Sequence, residues 1–441
     1  MIEAIRNALT LPDLRRKIVF TLLILIAYRA AAHVPVPGVD GAALQQFLES
    51  GNEGSTIVQF LNLLSGGALA RFSVMAMGVY PYITASIIIQ LLTPLIPQLQ
   101  ELSKEGEQGR NKINMYTHWL SVPLAILQAY GQVVFIQNSV PGVLTNFGFS
   151  VDPLATIATL ITMTAGTMVA VWLGELITEQ GVGNGVSIII FGGIVAQIPS
   201  QLGSFIGRQE WGNLLLFVII TVLTIAVIAF VQEGQRRIPV QYGKRVRGTK
   251  VYGGQSTHIP LKVNSAGMIP LIFAQSIMIF PSAVAGYFQF SENQFIAGLA
   301  NGVVKYFSPN PDSYPYWILY FLMVVGFTYF YTDVIFKQQN LADNLQRQGG
   351  FIPGMRPGKR TEVFLNTVLQ RITLVGALLL GSVAILPWLV NIIPGVSQSG
   401  SQTQALLITS TGLLIVVGVV LDTMKQLQAQ LLMRHYEGFI S

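Results

Sequence analysis

Ten long apolar runs, separated by polar connections, set the pattern of this chain. They cover about 18–34, 74–96, 114–136, 154–177, 185–206, 213–232, 263–287, 314–335, 366–390 and 404–423. An α-helix needs roughly 20 apolar residues to cross a bilayer, so the pattern predicts an all-α polytopic membrane protein. One stretch breaks the rule. Residues 57–96 read IVQFLNLLSGGALARFSVMAMGVYPYITASIIIQLLTPLI. The first piece, Ile57 to about Arg71, is too short to cross, whereas Val74 to Ile96 is long enough. Ser65, Gly66, Gly67 and Arg71 lie between them. Broken backbone at membrane depth survives only inside protein or beside a water-filled cavity. The stretch therefore predicts a half-length helix folded back into the mouth of a cavity, with the next span as its wall. A short amphipathic surface helix is the plainer alternative.

Composition agrees with the pattern. Of 441 residues, 51% are hydrophobic and 10% charged, and none is cysteine, which excludes disulfides and thiolate chemistry. His33, His118, His258 and His435 are scattered without metal-ligand spacing. Met1–Pro12 lacks the pattern of a cleavable signal, and the first apolar run leads directly into more protein.

The positions of lysine and arginine give the orientation. Basic residues crowd the N-terminus, the connections 97–113, 233–262 and 336–365, and the region after the last span. Of the 26 in the chain, only Arg71, Arg208 and Lys305 fall on the other side, with Arg29 inside the first span. By the positive-inside rule, both termini are cytoplasmic. Ten spans divide as five and five near Gly207–Gly212. An odd number per half inserts the second half upside down, which predicts inverted halves, 1–207 and 208–441, around a working cavity. Two elements lie outside the spans. Residues 292–307 carry Phe295, Ile296, Leu299, Val303 and Tyr306 on one helical face, as for a helix on the outer surface, and Met424–Ile440 reads as a cytoplasmic helix.

No motif for nucleotide, zinc or serine-nucleophile chemistry is present; the run 181–185, GVGNG, follows a span and reads as a turn. Ion-coupled carriers place carboxylates or histidine at mid-membrane. Here Glu175, Asp333 and Asp422 sit near span ends. That favours a passive conduit over the alternative, a secondary transporter of a small solute. A conduit must still hold back ions, and a ring of apolar side chains does so by dewetting. Val79, Ile83 and Ile87 recur every four residues, on one helical face. In the seventh run Gly267, Pro270 and Pro281 are hinge candidates.

Two long connections carry dense positive charge. Connection 233–262 has Arg236 and Arg237, then Lys244, Arg245, Arg247 and Lys250 around a glycine turn, flanked by β-branched and tyrosine residues; it reads as a hairpin-like prong with a cationic tip. Connection 336–365 holds FIPGMRPGKR, an exposed turn bearing Arg356, Lys359 and Arg360. Charge a dozen residues from either span is poorly explained by lipid anchoring. It fits docking of a soluble partner, with RNA as one candidate component.

Several segments together resemble the SecY family of protein-conducting channel subunits. They are HVPVPGVD (33–40), NLLSGGALARFS (62–73), PYITASIIIQLL (81–92), SKEGEQGR (103–110), ITEQGVGNGVSIIIFGGIVA (177–196), GQRRIPVQYGKR (234–245), VYGGQSTHIPLKVNSAGMIP (251–270), FIPGMRPGKRT (351–361) and GLLIVVGVVLD (412–422). The resemblance runs nearly the whole length. It implies a plug at Asn62, Leu63, Leu64, Ser65, Gly66, Gly67, Ala68, Leu69 and Arg71, within a short helix at about 57–73. The implied pore ring is Val79, Ile83, Ile190, Ile272 and Ile415, with Ile87 beside it. A lateral gate between spans two and seven is implied at Thr84, Gln90, Asn264 and Phe280. The basic loops are implied to engage the SecA motor ATPase or the ribosome. Further implied partners are SecE-like and SecG-like small membrane subunits, accessory SecD/SecF, signal peptides, nascent polypeptides and membrane lipids. The implied setting is the bacterial plasma membrane. No cofactor and no enzymatic activity are expected.

Overall fold

The computed structural model describes residues 11–39, 62, 65–139, 143, 147–149, 151–207, 211–242, 245–247, 250–252, 256–288, 293–307, 313–339, 341–391 and 400–437. Each of the ten expected spans coincides with a helix or a pair of helices. α1 is Pro12–Ala31, α2 Tyr80–Leu92, and α3 Pro97–Lys104. α4 is Glu107–Ser139 and α5 Pro153–Gln180, while α6 (Gly185–Val195) and α7 (Ile198–Gly207) share one expected span. α8 is Trp211–Glu233 and α9 Ile269–Phe288. α10 (Gln294–Phe307) is the amphipathic helix expected at 292–307, and α11 is Tyr314–Gln339. After α12 (Leu341–Arg347), α13 (Lys359–Ala384) and α14 (Leu386–Asn391) form another broken span, and α15 is Gly400–Glu437.

Among the described residues, four helices are long and apolar enough to cross a membrane alone, α5 and α13 among them. α2 and α3 together make a fifth candidate, bent by 100°. Two of the central helices are too short to cross alone. α6 has 11 residues and α2 has 13. At 1.5 Å per residue neither reaches across a hydrocarbon core of about 30 Å. Both line the central constriction, and interrupted helices are tolerated where protein or a cavity satisfies their ends.

The outer faces are greasy. Leu22, Leu23 and Ile26 on α1, Ile161 on α5, and Leu215, Val222 and Phe230 on α8 are all exposed. A continuous apolar exterior of this kind is stable only in lipid. The main core is a central cluster containing Ile24, Tyr28, Val79, Ile189, Ile190, Ile272 and Ile415. A second cluster, with Leu69, Phe72, Val133 and Met163, lies at the end of the bundle that carries α10, whose Ala300 and Val304 pack into it.

At the opposite, basic end lies a small sheet. β1 (Gln235–Tyr242) pairs antiparallel with β4 (Ser256–Lys262) in the register Ile238↔Ile259 and Val240↔Thr257. Between them β2 (Arg245–Arg247) pairs with β3 (Lys250–Tyr252), completing the prong. The other edge of β1 pairs with β5 (Gly350–Phe351) through Gln241↔Phe351 and Tyr242↔Gly350. This link between the two basic connections was not legible in the sequence. Ile238, Val240, Leu261, Leu345, Ile352 and Leu365 form a core beneath the sheet, so the two loops are one body.

Several expectations are corrected. The second span is helical only from Tyr80, because Gly78 takes φ +53° and residues 74–79 are turns. The plug is not helical through residue 73. Ser65–Gly67 form a turn, Leu69–Arg71 a single 3-10 turn, and Phe72 takes the left-handed conformation. The seventh span is helical from Ile269, after Gly267 at φ +68°. Pro270 therefore occupies the first helical turn, where proline is well tolerated, and only Pro281 lies inside the helix. The C-terminal tail continues the last span as one 38-residue helix.

Candidate functional site

Four elements converge on one constriction. Val79 is the N-cap residue of α2, and the amide of Ile83 donates to the Val79 carbonyl at 3.1 Å, which stacks the two side chains one turn apart. Asn184 caps α6, its side chain accepting from the Ser187 amide at 3.0 Å, and this sets Ile190 early in that helix. The Asn264 side-chain amide donates to the Gly267 carbonyl at 2.9 Å, holding the turn that starts α9 just before Ile272. Ile415 comes from α15, whose Gly412 lies against Ile194 of α6; a Cβ on Gly412 would lie 3.0 Å from Ile194 Cγ2.

Val79, Ile83, Ile190, Ile272 and Ile415 line a single central void of about 10 Å³. That is room for no more than about one water. Ile83 is half-buried, and the other four are at most 9% exposed. β-Branched side chains meet around a space this small, and an apolar constriction of that kind opposes an ion, which finds nothing there to replace its hydration. Ile87 is buried one turn further along α2 and does not line the void. Tyr80, Gln275 and Ser276 do line it, and sequence reasoning missed them. The legible signal was Gln275-Ser276, two adjacent polar residues inside an apolar run.

Against one end of this constriction sits the turn at 65–67. Gly66 (φ +70°) lies on the backbone of Gly193 in α6. The turn is bonded within itself: Asn62 Oδ1 accepts from the Ala70 amide at 2.7 Å, and the Asn62 carbonyl accepts from the Gly67 amide at 2.7 Å. Ser65 Oγ accepts from the Leu69 amide at 3.1 Å. Ala68 and Leu69 are fully buried, and Arg71 is exposed. Leu63 and Leu64 lie outside the described residues.

Beside the constriction, α2 touches both α9 and α4. Thr84 donates to the Tyr80 carbonyl at 3.1 Å and accepts from Gln128 of α4 at 3.4 Å. Gln90 bonds Ser86 within α2 at 3.0 Å. Asn264 is buried at the foot of α9. Phe280 lies in α9, and its side chain is outside the described residues. The geometry thus adds Gln128 to the polar positions on the α2 wall. At the basic end Arg236, Arg237, Arg356, Lys359 and Arg360 are all exposed. Arg245, Arg247 and Lys250 lie on β2 and β3 with their side chains outside the described residues, as is Lys244 altogether.

A lipid-faced helical bundle, a sealed central constriction and a folded basic platform at one end define a membrane conduit that is closed at rest. A family model described as SecY matches residues 73–424, and the chain belongs to the SecY family. The protein translocase subunit SecY of Halalkalibacterium halodurans is 44% identical over the full length of both chains. That of Thermus thermophilus is 42% identical, covering all of this chain and 98% of the relative. Two solved structures share the fold at 17% identity, each covering 94% of this chain and 92% of its own. They are a protein conducting channel (TM-score 0.64) and Sec61 in a canine ribosome–channel complex (TM-score 0.62).

Proposed function

We propose that this protein is the central subunit of a protein translocation channel, passing unfolded secretory polypeptides across the plasma membrane and releasing hydrophobic segments sideways into lipid. The observation that carries the reading is the ring itself: five aliphatic side chains from four elements around a void of about 10 Å³, in a chain 44% identical end to end to a protein translocase subunit. A conduit for arbitrary sequences cannot use fixed hydrogen-bond partners. Flexible aliphatic chains seal around any cargo and hold none tightly. A secondary transporter of a small solute is not favoured, since its relatives are translocase subunits.

In this reading residues 62–71 plug the outer mouth, and the gap between α2 and α9 is the lateral gate, with Thr84, Gln90, Asn264 and Phe280 along it. Partitioning would then sort cargo. Leu, Ile, Phe and Val favour the membrane by about 0.3–0.6 kcal/mol each, and Lys, Arg and Asp oppose it by about 2.5–3.5 kcal/mol. Residues 1–207 and 208–441 act as two inverted halves, with both termini cytoplasmic. The basic platform docks the source of drive, a SecA-like motor ATPase or a ribosome, and SecE-like, SecG-like and SecD/SecF-like membrane subunits complete the assembly. The channel carries no catalytic chemistry of its own. Photocrosslinking from position 83 to a stalled secretory chain tests the proposal. A crosslink dependent on a signal segment is expected, and its absence in an actively secreting assembly would overturn it.

A further inference from the structure

Arg29 lies in the last turn of α1, inside an apolar run, where a guanidinium is costly unless it is given partners. Its partner is main chain: Nη1 donates to the Gly66 carbonyl. The guanidinium also lies alongside Gly67, where an added Cβ would sit 3.7 Å from Nη1. From the α6–α7 junction Gln197 Nε2 donates to the Asn62 carbonyl at 3.1 Å. Tyr28 Oη adds a long contact of 3.5 Å to the Ser65 carbonyl. Three polar side chains on two neighbouring elements thus grip one turn, all by its carbonyl oxygens. The turn's internal bonds, from Ala70 and Gly67 to Asn62 and from Leu69 to Ser65, make it a unit that moves whole.

We infer that Arg29 and Gln197 form a releasable latch that holds the plug shut, with Arg29 the principal positioning residue. The inference rests on the plug reading proposed above. Carbonyl-directed bonds suit a latch. Water replaces each one when the turn swings into an aqueous mouth, so release leaves no orphaned acceptor. Charge-assisted donation from a guanidinium is stronger than a neutral bond, and it biases the rest state toward closure. The latch therefore sets the threshold that a signal segment must exceed before the plug leaves.

The chain has no cysteine, so a single Ala70→Cys, at a half-buried site of the plug, reports plug position by its reaction with a membrane-impermeant maleimide. In the full assembly Arg29→Ala is expected to raise both labelling rate and resting ion conductance several-fold, and to let weakened signal segments through. Arg29→Lys, which keeps a charged donor, should restore most of the difference, and Gln197→Ala should give a smaller rise. Unchanged labelling and conductance in Arg29→Ala, when deletion of 62–71 does raise conductance, would overturn the latch and spare the plug. If that deletion also leaves conductance unchanged, the plug reading itself fails. A rise that Arg29→Lys does not restore would indicate loosened packing of α1 and would equally overturn the latch.

Discussion

Gly66 and Gly193 meet backbone to backbone. A Cβ built on Gly66 would stand 2.6 Å from the Cα of Gly193, and one on Gly193 would stand 2.8 Å from the Cα of Gly66. No other residue permits this approach, which seats the plug turn on a constriction-lining helix. Gly66 also has φ +70°, a conformation costing a residue with Cβ roughly 1–2 kcal/mol. Because the turn moves whole, that strain is common to both positions; Gly66→Ala should shift the closed–open balance toward open through the clash with Gly193, by about tenfold for a contact worth about 1.4 kcal/mol. Resting conductance across planar bilayers measures it; conductance equal to that of the parent would show that the contact does not hold the closed state.

The ring makes a second prediction. Ile83→Gly together with Ile190→Gly should admit water and raise resting ion flow. Truncating the buried Ile190 costs about 2–5 kcal/mol, and truncating the half-buried Ile83 costs less. Ile83→Leu, close in volume, should cost less than about 1.5 kcal/mol and leave the seal intact. Single-channel recording of the two variants side by side decides the matter. If both leak alike, shape and not apolar closure is being read.

Arg356 concerns drive. It lies between Gly354 (φ +85°) and Gly358 (φ +108°), and its carbonyl accepts from Thr361 Oγ1 at 3.0 Å, while its side chain is exposed. The backbone is thus held independently of the guanidinium. Arg356→Glu should abolish ATP-driven secretion at normal protein levels in the membrane. Secretion at the parent's rate by vesicles containing this variant would remove the loop from the docking surface.

Val240 concerns the platform. Its side chain is fully buried beneath the sheet that ties β1 to both β4 and β5. Val240→Asp would place an unpaired charge in that core, a change of about 3–5 kcal/mol. The two basic connections should then come apart. Faster tryptic cleavage within both 233–262 and 336–365, with the spans protected, is the expected result. Cleavage in one connection alone would mean that they fold separately.

Much of the architecture was readable from the order of residues. Hydrophobic runs, their lengths and the one-sided distribution of lysine and arginine respond to the bilayer, which acts on each segment separately. That is why all ten spans were located and why the prong at 233–262 was seen in its β-branched flanks. The segment resemblance nominated Val79, Ile83, Ile190, Ile272 and Ile415, residues that the fold brings around one void. Local order could not supply the breaks. Helix α2 begins at Tyr80 and α9 at Ile269 because Gly78 and Gly267 take positive φ, and glycine permits that conformation without demanding it.

Contacts between distant segments were decided only in three dimensions. The pairing of Gln241 with Phe351 joins residues over a hundred positions apart through main-chain bonds, which no side-chain pattern announces. Gln275 and Ser276 became constriction residues only when α9 was set against α2. Arg29 read as one stray charge in the first span until the fold brought the Gly66 carbonyl to it. Periodicity records what each helix asks of its solvent; which carbonyl a half-buried guanidinium meets depends on how the helices pack together.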